Sequence, residues 1–219
     1  MAGRLPNMKN YKGKFITFEG SEGSGKSTQI DLISQYLKSL GKSIVLLREP
    51  GGVTISEKIR EILLDVEHKE MGDEAETLLY MAARAQLVKE IIVPALKAGK
   101  IVLCDRFLDS TLVYQGYGHG MDMSFIKTVG KFVTQGISPN LTLLFDIDTK
   151  KGLSRINRAK DRIEQRALTY HNKVRNGYLD LARREPKRIK VIKVDKTKEE
   201  IHLIVRSYVD GLLCQSKSK

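Results

Sequence analysis

An α/β fold is what this sequence predicts, with a five-stranded parallel sheet covered on both faces by helices. Three observations predict it. Five short apolar runs alternate with segments whose apolar residues recur at helical spacing. The strand runs are apolar throughout, the pattern of strands buried on both faces. The first of them ends in a glycine-rich turn that opens a helix, the setting of a phosphate-binding loop.

The elements follow in order. The run 15-FITFEG-20 reads as the first strand. Residues 27–40 form a helix, with Ile30, Leu32, Ile33, Tyr36, Leu37 and Leu40 at its spacing and Gly41 closing it. Then 43-SIVLLRE-49 is a second strand, ended by 50-PGG-52. Residues 56–64 are helical. Residues 73–97 read as one longer helix with Leu78, Leu79, Met81, Ala82, Ala85, Val88 and Ile92 in register, and Pro94 is set to kink its end. The third strand is 100-KIVLCD-105, followed by a helix over 124–134 and a fourth strand, 140-NLTLLFDID-148. A basic stretch with little apolar pattern covers 157–166. Residues 168–184 form an amphipathic helix, 189-IKVIKVD-195 the fifth strand and 199–213 the last helix. No repeat, low-complexity tract or linker divides the chain. Residues 1–219 are therefore expected to be one domain, with 1–13 a mobile extension.

Apolar residues make up 41% of the chain and charged residues 29%, ordinary for a soluble globular protein. No run of about 18 apolar residues occurs, so no membrane span is expected. The polar, basic start lacks the apolar core of a signal peptide, which points to the cytoplasm. Cys104 and Cys214 stand far apart and are read as reduced thiols. The net charge of +12 is uneven: residues 1–149 carry 18 basic and 18 acidic residues, and residues 150–219 carry 20 and 8. Such a basic third suits a nucleic-acid surface, a polyanionic small ligand or simply a solvated helical face.

The octapeptide 20-GSEGSGKS-27 fits the phosphate-loop pattern at every fixed position. Its glycines let successive N–H groups curl around phosphate oxygens, and the opening helix adds its positive end. Gly20, Ser21, Glu22, Gly23, Ser24, Gly25, Lys26, Ser27 and Thr28 are thus the candidate nucleotide-binding residues. Lys26 supplies a cation for the β- and γ-phosphates and Ser27 a hydroxyl for Mg²⁺. The fold class becomes a three-layer P-loop NTPase. Guanine-nucleotide switches normally carry N-K-x-D, which is absent here, and motor ATPases are usually larger. A kinase of small substrates fits best. Two other readings stay open, a kinase for another nucleotide and a nucleic-acid-binding ATPase. Asp105 and Arg106 end the third strand where ligands bind in such sheets. The carboxylate can hold Mg²⁺ or its waters, and the arginine can grip a phosphate with two prongs. A strand-end salt bridge is the plainer reading of that pair. Asp146 and Asp148 read as strand terminators, and His68, His119, His171 and His202 as surface or loop residues.

The set 18-FEGSEGSGKSTQ-29, 48-REPGG-52, 80-YMAARAQ-86, 105-DRFLDSTLVYQG-116 and 161-DRIE-164 resembles the thymidylate kinase family of the bacterial kind, from about residue 15 to 213. That resemblance implies ATP and dTMP as substrates, Mg²⁺ as cofactor and a homodimer, with no nucleic-acid or membrane partner. It also implies residue roles. Arg106 resembles the arginine that binds the acceptor phosphate, and Arg84 the one that hydrogen-bonds the thymine carbonyl. Tyr80 stands where the family usually has a phenylalanine stacked on the base. Thr111 and Gln115 resemble residues near base and sugar, and Tyr114 the tyrosine beside the sugar's 2′ carbon. Glu22 resembles the loop acid near the 3′-hydroxyl, and Pro50, after Glu49, a wall of the acceptor pocket. Leu87 departs from the family's usual histidine. In one version of the family an arginine follows the loop acid, and in the other a lid supplies it. Gly23 follows Glu22 here, so the chain resembles the lid version. The lid is then about 157–168, with Arg158, Arg162 and Arg166 as candidates and the first two preferred.

Overall fold

The computed structural model describes residues 11–214. Most of the expected mobile extension at 1–13 lies outside the described residues. Five strands form one all-parallel sheet: β1 (Lys14–Glu19), β2 (Ile44–Arg48), β3 (Ile101–Asp105), β4 (Leu141–Asp146) and β5 (Ile189–Lys193), in the spatial order β2-β3-β1-β4-β5. Central β1 is flanked by strands that follow it on two different routes, so the crevice outside its C-terminal end is where such a sheet receives a ligand.

The helices divide between the two faces. On one face α1 (Lys26–Ser39) and α9 (Lys198–Cys214) cover the sheet, and Ile30, Ile33 and Leu37 of α1 meet Ile201, Val205 and Val209 of α9 over Ile16 and Phe18 of β1. Alternation along the strand turns Phe15 to the other face, against Leu87, Val88 and Leu96. That second face is built by α3 (Asp73–Leu87), α4 (Val93–Lys97), α5 (Leu108–Thr111), α6 (Met123–Val133) and α8 (Leu168–Arg184). The remaining helices are α2 (Thr54–Leu64), packed on α3, and the short α7 (Thr149–Ser154).

Three differences from the sequence reading have physical causes. The long helix over 73–97 is divided by a π turn at Val88–Ile92. Pro94 has no N–H and its ring would strike the carbonyl four residues earlier, and the wider turn just before it relieves that conflict. Residues 108–118 are helical: α5 runs into a second π turn at Leu112–Gly118. Its two glycines and adjacent polar residues hide that helix in the sequence. Packing favours glycine at Gly118, where a Cβ would meet the buried Tyr170 ring, while at Gly116 a Cβ would have to push aside the flexible Met123 side chain. Helix α7 was also unexpected; Asp148 caps it by accepting from Lys151 N at 3.0 Å.

Candidate active site

The loop between β1 and α1 opens at the C-terminal edge of the sheet. Gly20 has φ 138°, and a Cβ there would lie 2.4 Å from Phe145 O, so only glycine lets the chain turn over β4. Lys26 Nζ donates to Gly20 O at 2.9 Å, Ser21 O at 3.0 Å and Ser24 Oγ at 3.3 Å. Burial lowers its ammonium to about 8, with Arg106 adding to the effect against Asp105, Glu22 and Glu19. Ser27 Oγ donates to Asp105 Oδ2 at 3.4 Å, while Asp105 Oδ1 is buried with no partner among the described residues. A hydroxyl and an under-used carboxylate beside the loop lysine form a hard-oxygen donor pair. Those residues fit a nucleotide-bound divalent cation, which takes few protein ligands.

Position 23 is closed to side chains. Gly23 has φ 67°, and a Cβ there would lie 2.0 Å from the carbonyl oxygen of Gly152 in α7. An arginine after Glu22 therefore has no room unless α7 moves.

Arg106 follows β3 with φ 69°, in the left-handed region that is costly for any side chain but glycine. Its N–H donates to Phe18 O at 3.0 Å, which tethers the strained turn to β1. Its guanidinium lies over the Tyr114 ring, 5.0 Å from the centroid. Nη2 donates to Glu22 Oε1 at 3.0 Å, and Nη1 to Tyr178 Oη at 3.1 Å and Ser110 Oγ at 3.3 Å. Nε has no hydrogen-bond partner among the described residues, and Nη2, which with it forms the side-on fork of the guanidinium, has Glu22 alone. Tyr114 Oη donates to the same Glu22 oxygen. Burial favours a neutral Glu22, but His171, Arg106, Lys26 and Tyr114 outweigh it and hold the carboxyl well below the usual carboxylate range.

A cleft of about 340 Å³ joins these groups to a second cluster. It is lined by Glu22, Gly23, Lys26, Ser27, Asp105 and Arg106 at one end. Glu49, Pro50, Tyr80, Arg84, Thr111 and Gln115 line the other, with Tyr114 between them. Buried Arg84 is held rigidly there: Nε donates to Glu49 Oε2 at 2.7 Å, Nη1 to Thr111 Oγ1 at 2.9 Å and Nη2 to Phe107 O at 3.1 Å. Burial raises the Glu49 carboxyl against the pull of Arg84. Gln115 Nε2 donates to buried Glu76 at 2.9 Å. The π turn brings Tyr114 and Gln115 to the same wall.

The segment 157–166 roofs the cleft, and its arginines differ sharply. Arg158 lines the cleft with its side chain 63% exposed and is held by Glu164 through two hydrogen bonds of 2.7 and 2.9 Å. Arg162 does not line the cleft. Its side chain is 7% exposed, Nε donates to Leu63 O at 2.9 Å, and Nη2 lies 2.7 Å from Glu76 Oε2 as an ion pair without hydrogen-bond alignment. Arg166 reaches the same Glu76 oxygen at 2.9 Å. Burial would raise the Glu76 carboxyl, but His119, Gln115, Arg166 and Arg162 bring it down to about 2.

Sequence reasoning passed over several residues. His119 and His171 are not surface residues: His119 sits between Asp73 and Glu76, and His171 is fully buried with Nδ1 3.5 Å from Glu22 Oε2. His119 sits in the turn after Gly118 and His171 within α8, and neither position carried a sign of these partners in the sequence. Glu19 and Tyr178 also escaped notice. The first lies inside the quoted 18-FEGSEGSGKSTQ-29 motif, and the second at the spacing of an ordinary core tyrosine. Asp146 ends β4 as expected and is gripped by Arg175 at 2.6 and 3.1 Å.

A family model for thymidylate kinase matches residues 18–204. The chain belongs to the thymidylate kinase family. It is 47% identical over 205 residues to the thymidylate kinase of Pelotomaculum thermopropionicum, covering 92% of this chain and 95% of that one. The thymidylate kinase of Kosmotoga olearia is 48% identical over 206 residues, covering 93% and 97%. The crystal structure of thymidylate kinase from Ehrlichia chaffeensis superposes with a TM-score of 0.74 at 35% identity, covering 90% of this chain and 98% of that one.

Proposed function

We infer that this member of the thymidylate kinase family transfers the γ-phosphoryl of ATP to dTMP, giving ADP and dTDP and so feeding dTTP synthesis. The observation that carries the reading is one cleft lined both by the loop lysine, Lys26, with the arginine Arg106 and by a wall of Tyr80, Arg84, Thr111 and Gln115. The acceptor phosphate is largely a dianion at neutral pH, so no general base is needed. Catalysis is then alignment plus neutralisation of charge spread over the transferring oxygens.

Each residue has a part in that scheme. The loop Gly20–Thr28 cradles the donor phosphates. The side-on fork of Arg106 grips the acceptor phosphate through two parallel hydrogen bonds. Glu22 restrains Arg106 and Tyr114, and approaches the 3′-hydroxyl. The Tyr114 ring lies against the 2′ carbon. Tyr80 stacks on thymine, and Arg84, fixed by Glu49, faces a thymine carbonyl beside Pro50. Ser27 and Asp105 would hold Mg²⁺, which would neutralise charge on the donor phosphates. Among the lid arginines Arg158 is the one free to reach the transferred phosphoryl, by leaving Glu164. Residues about 157–168 act as that lid on a single kinase domain. Closed Gly23 supports the lid version of the family over the loop-arginine version.

The active unit is a homodimer in the cytoplasm. α2 packs on α3 and α3 on α6. These helices leave Ile55, Ile62, Leu78, Phe125 and Phe132 exposed, an apolar surface of the kind that subunits cover. No helix among the described residues is long and apolar enough to cross a membrane.

The test is chromatographic detection of dTDP from ATP and dTMP with the purified chain. Formation is expected with Mg²⁺, loss on chelation and recovery when Mg²⁺ is returned. No dTDP under any of these conditions would refute the reading.

A further inference from the structure

Glu19 ends β1 fully buried and lies outside the lining of the cleft, yet it holds the groups that hold Arg106. Strand alternation sends it there: Ile16 and Phe18 face α1 and α9, so Glu19 faces α5 and α8. Its Oε1 accepts from Phe107 N at 2.7 Å. Its Oε2 accepts from Ser110 Oγ at 2.6 Å and Tyr178 Oη at 2.8 Å. Those hydroxyls lie 2.8 Å apart, and both accept from Arg106 Nη1.

Proton counting makes this arrangement directional. Each hydroxyl has one proton, a guanidinium nitrogen only donates, and a carboxylate only accepts. With both hydroxyl protons aimed at Glu19, lone pairs on both oxygens face Arg106. An amide in place of the carboxylate would present N–H groups to two hydroxyls. One of their protons could pass to the other oxygen, and the remaining one would have no acceptor.

We propose that Glu19 is a positioning residue for acceptor binding: its carboxylate polarises Ser110 and Tyr178 so that their oxygens fix the Arg106 guanidinium with its side-on fork toward the acceptor phosphate. This inference rests on Arg106 being the acceptor-phosphate arginine. Burial, with Asp109, raises the Glu19 carboxyl to about 7, against Ser110, Arg106 and Tyr178. Measurements therefore belong at about pH 7.5, above that value and below the Lys26 ammonium at about 8.

The experiment measures steady-state kinetics and thermal melting for Glu19→Gln. KM for dTMP should rise roughly ten- to a hundredfold, the loss expected for a hydrogen bond to a charged group. KM for ATP should stay at its wild-type value, and melting should show a cooperative fold well above the assay temperature. In a Ser110→Ala/Tyr178→Phe background, adding Glu19→Gln should raise KM for dTMP no further, since the effect passes through those hydroxyls. A joint rise of both KM values, or an equal further rise in that background, would overturn the proposal. Should Glu19→Gln not fold, Tyr178→Phe decides alone: a rise confined to dTMP supports the proposal and an unchanged KM overturns it. Arg106→Ala separates the two claims. If it leaves KM for dTMP unchanged, both fall; if it raises it while Glu19→Gln does not, only the positioning role falls.

Discussion

Arg158 and Arg162 are separated by one helical turn's worth of sequence and by very different physics. Arg162 is buried against Glu76, and Arg158 is an exposed cation resting on Glu164. Arg158→Ala should lower kcat by roughly 10³, as for other arginines that act on a transferred phosphoryl, with melting unchanged. Arg162→Ala should instead destabilise. Breaking a buried ion pair costs about 3–5 kcal/mol, and the low end applies because Glu76 keeps Arg166, His119 and Gln115. A loss of about 3 kcal/mol lowers the melting temperature of a chain this size by roughly 6–12 °C. Turnover and melting measured on both variants check the assignment, and the reverse pattern would exchange the two roles. The sequence could not separate these arginines, because both stand in one basic stretch without apolar periodicity. Arg158 pairs with nearby Glu164, whereas the partners of Arg162, Glu76 and Leu63, lie far back along the chain.

At the scale of elements, strands and long helices were legible because their apolar patterns are uninterrupted. The helix of α5 and its π turn was not, although 105-DRFLDSTLVYQG-116 had been singled out by resemblance. Glycines and polar side chains in that stretch are there to pack against Met123 and Tyr170 and to present Tyr114 and Gln115 to the cleft. Function had overwritten the helical signature. The same conflict between local pattern and role appears on α6, where Phe125 and Phe132 lie two turns apart and exposed, Phe132 by 78%. In the proposed homodimer a second subunit would cover them. Sedimentation equilibrium should find a dimer for the wild type and mainly monomer for Phe132→Asp, with the monomer's fold intact. A monomeric wild type at micromolar concentration would remove the dimer, and a dimeric variant would move the interface elsewhere.

At the scale of the whole molecule, the parallel sheet delivers Gly20 and Asp105 to one edge from neighbouring strands, and α3, α5 and the roof segment complete the cleft. The phosphate end of that cleft was readable from local motifs, since loop, lysine and strand-end arginine are each set by neighbours in sequence. The supports behind it were not. Glu19, Tyr178 and His171 acquire their roles only when α8 folds across β1. On the proposed reading substrate choice is a property of the assembled cleft, in which Arg106 would fix the phosphate, Arg84 the base and Tyr114 the sugar between them. A 2′-hydroxyl against the Tyr114 ring would lose its water without replacement, at about 1–3 kcal/mol, or roughly ten- to a hundredfold in specificity. The most direct measurement is therefore kcat/KM for dTMP, dUMP, UMP and dGMP under one set of conditions. The expected order is dTMP above dUMP by the small factor one methyl provides, with UMP lower by a further ten- to a hundredfold, roughly, and dGMP lowest. Equal use of UMP and dTMP, or a preference for the purine, would contradict it.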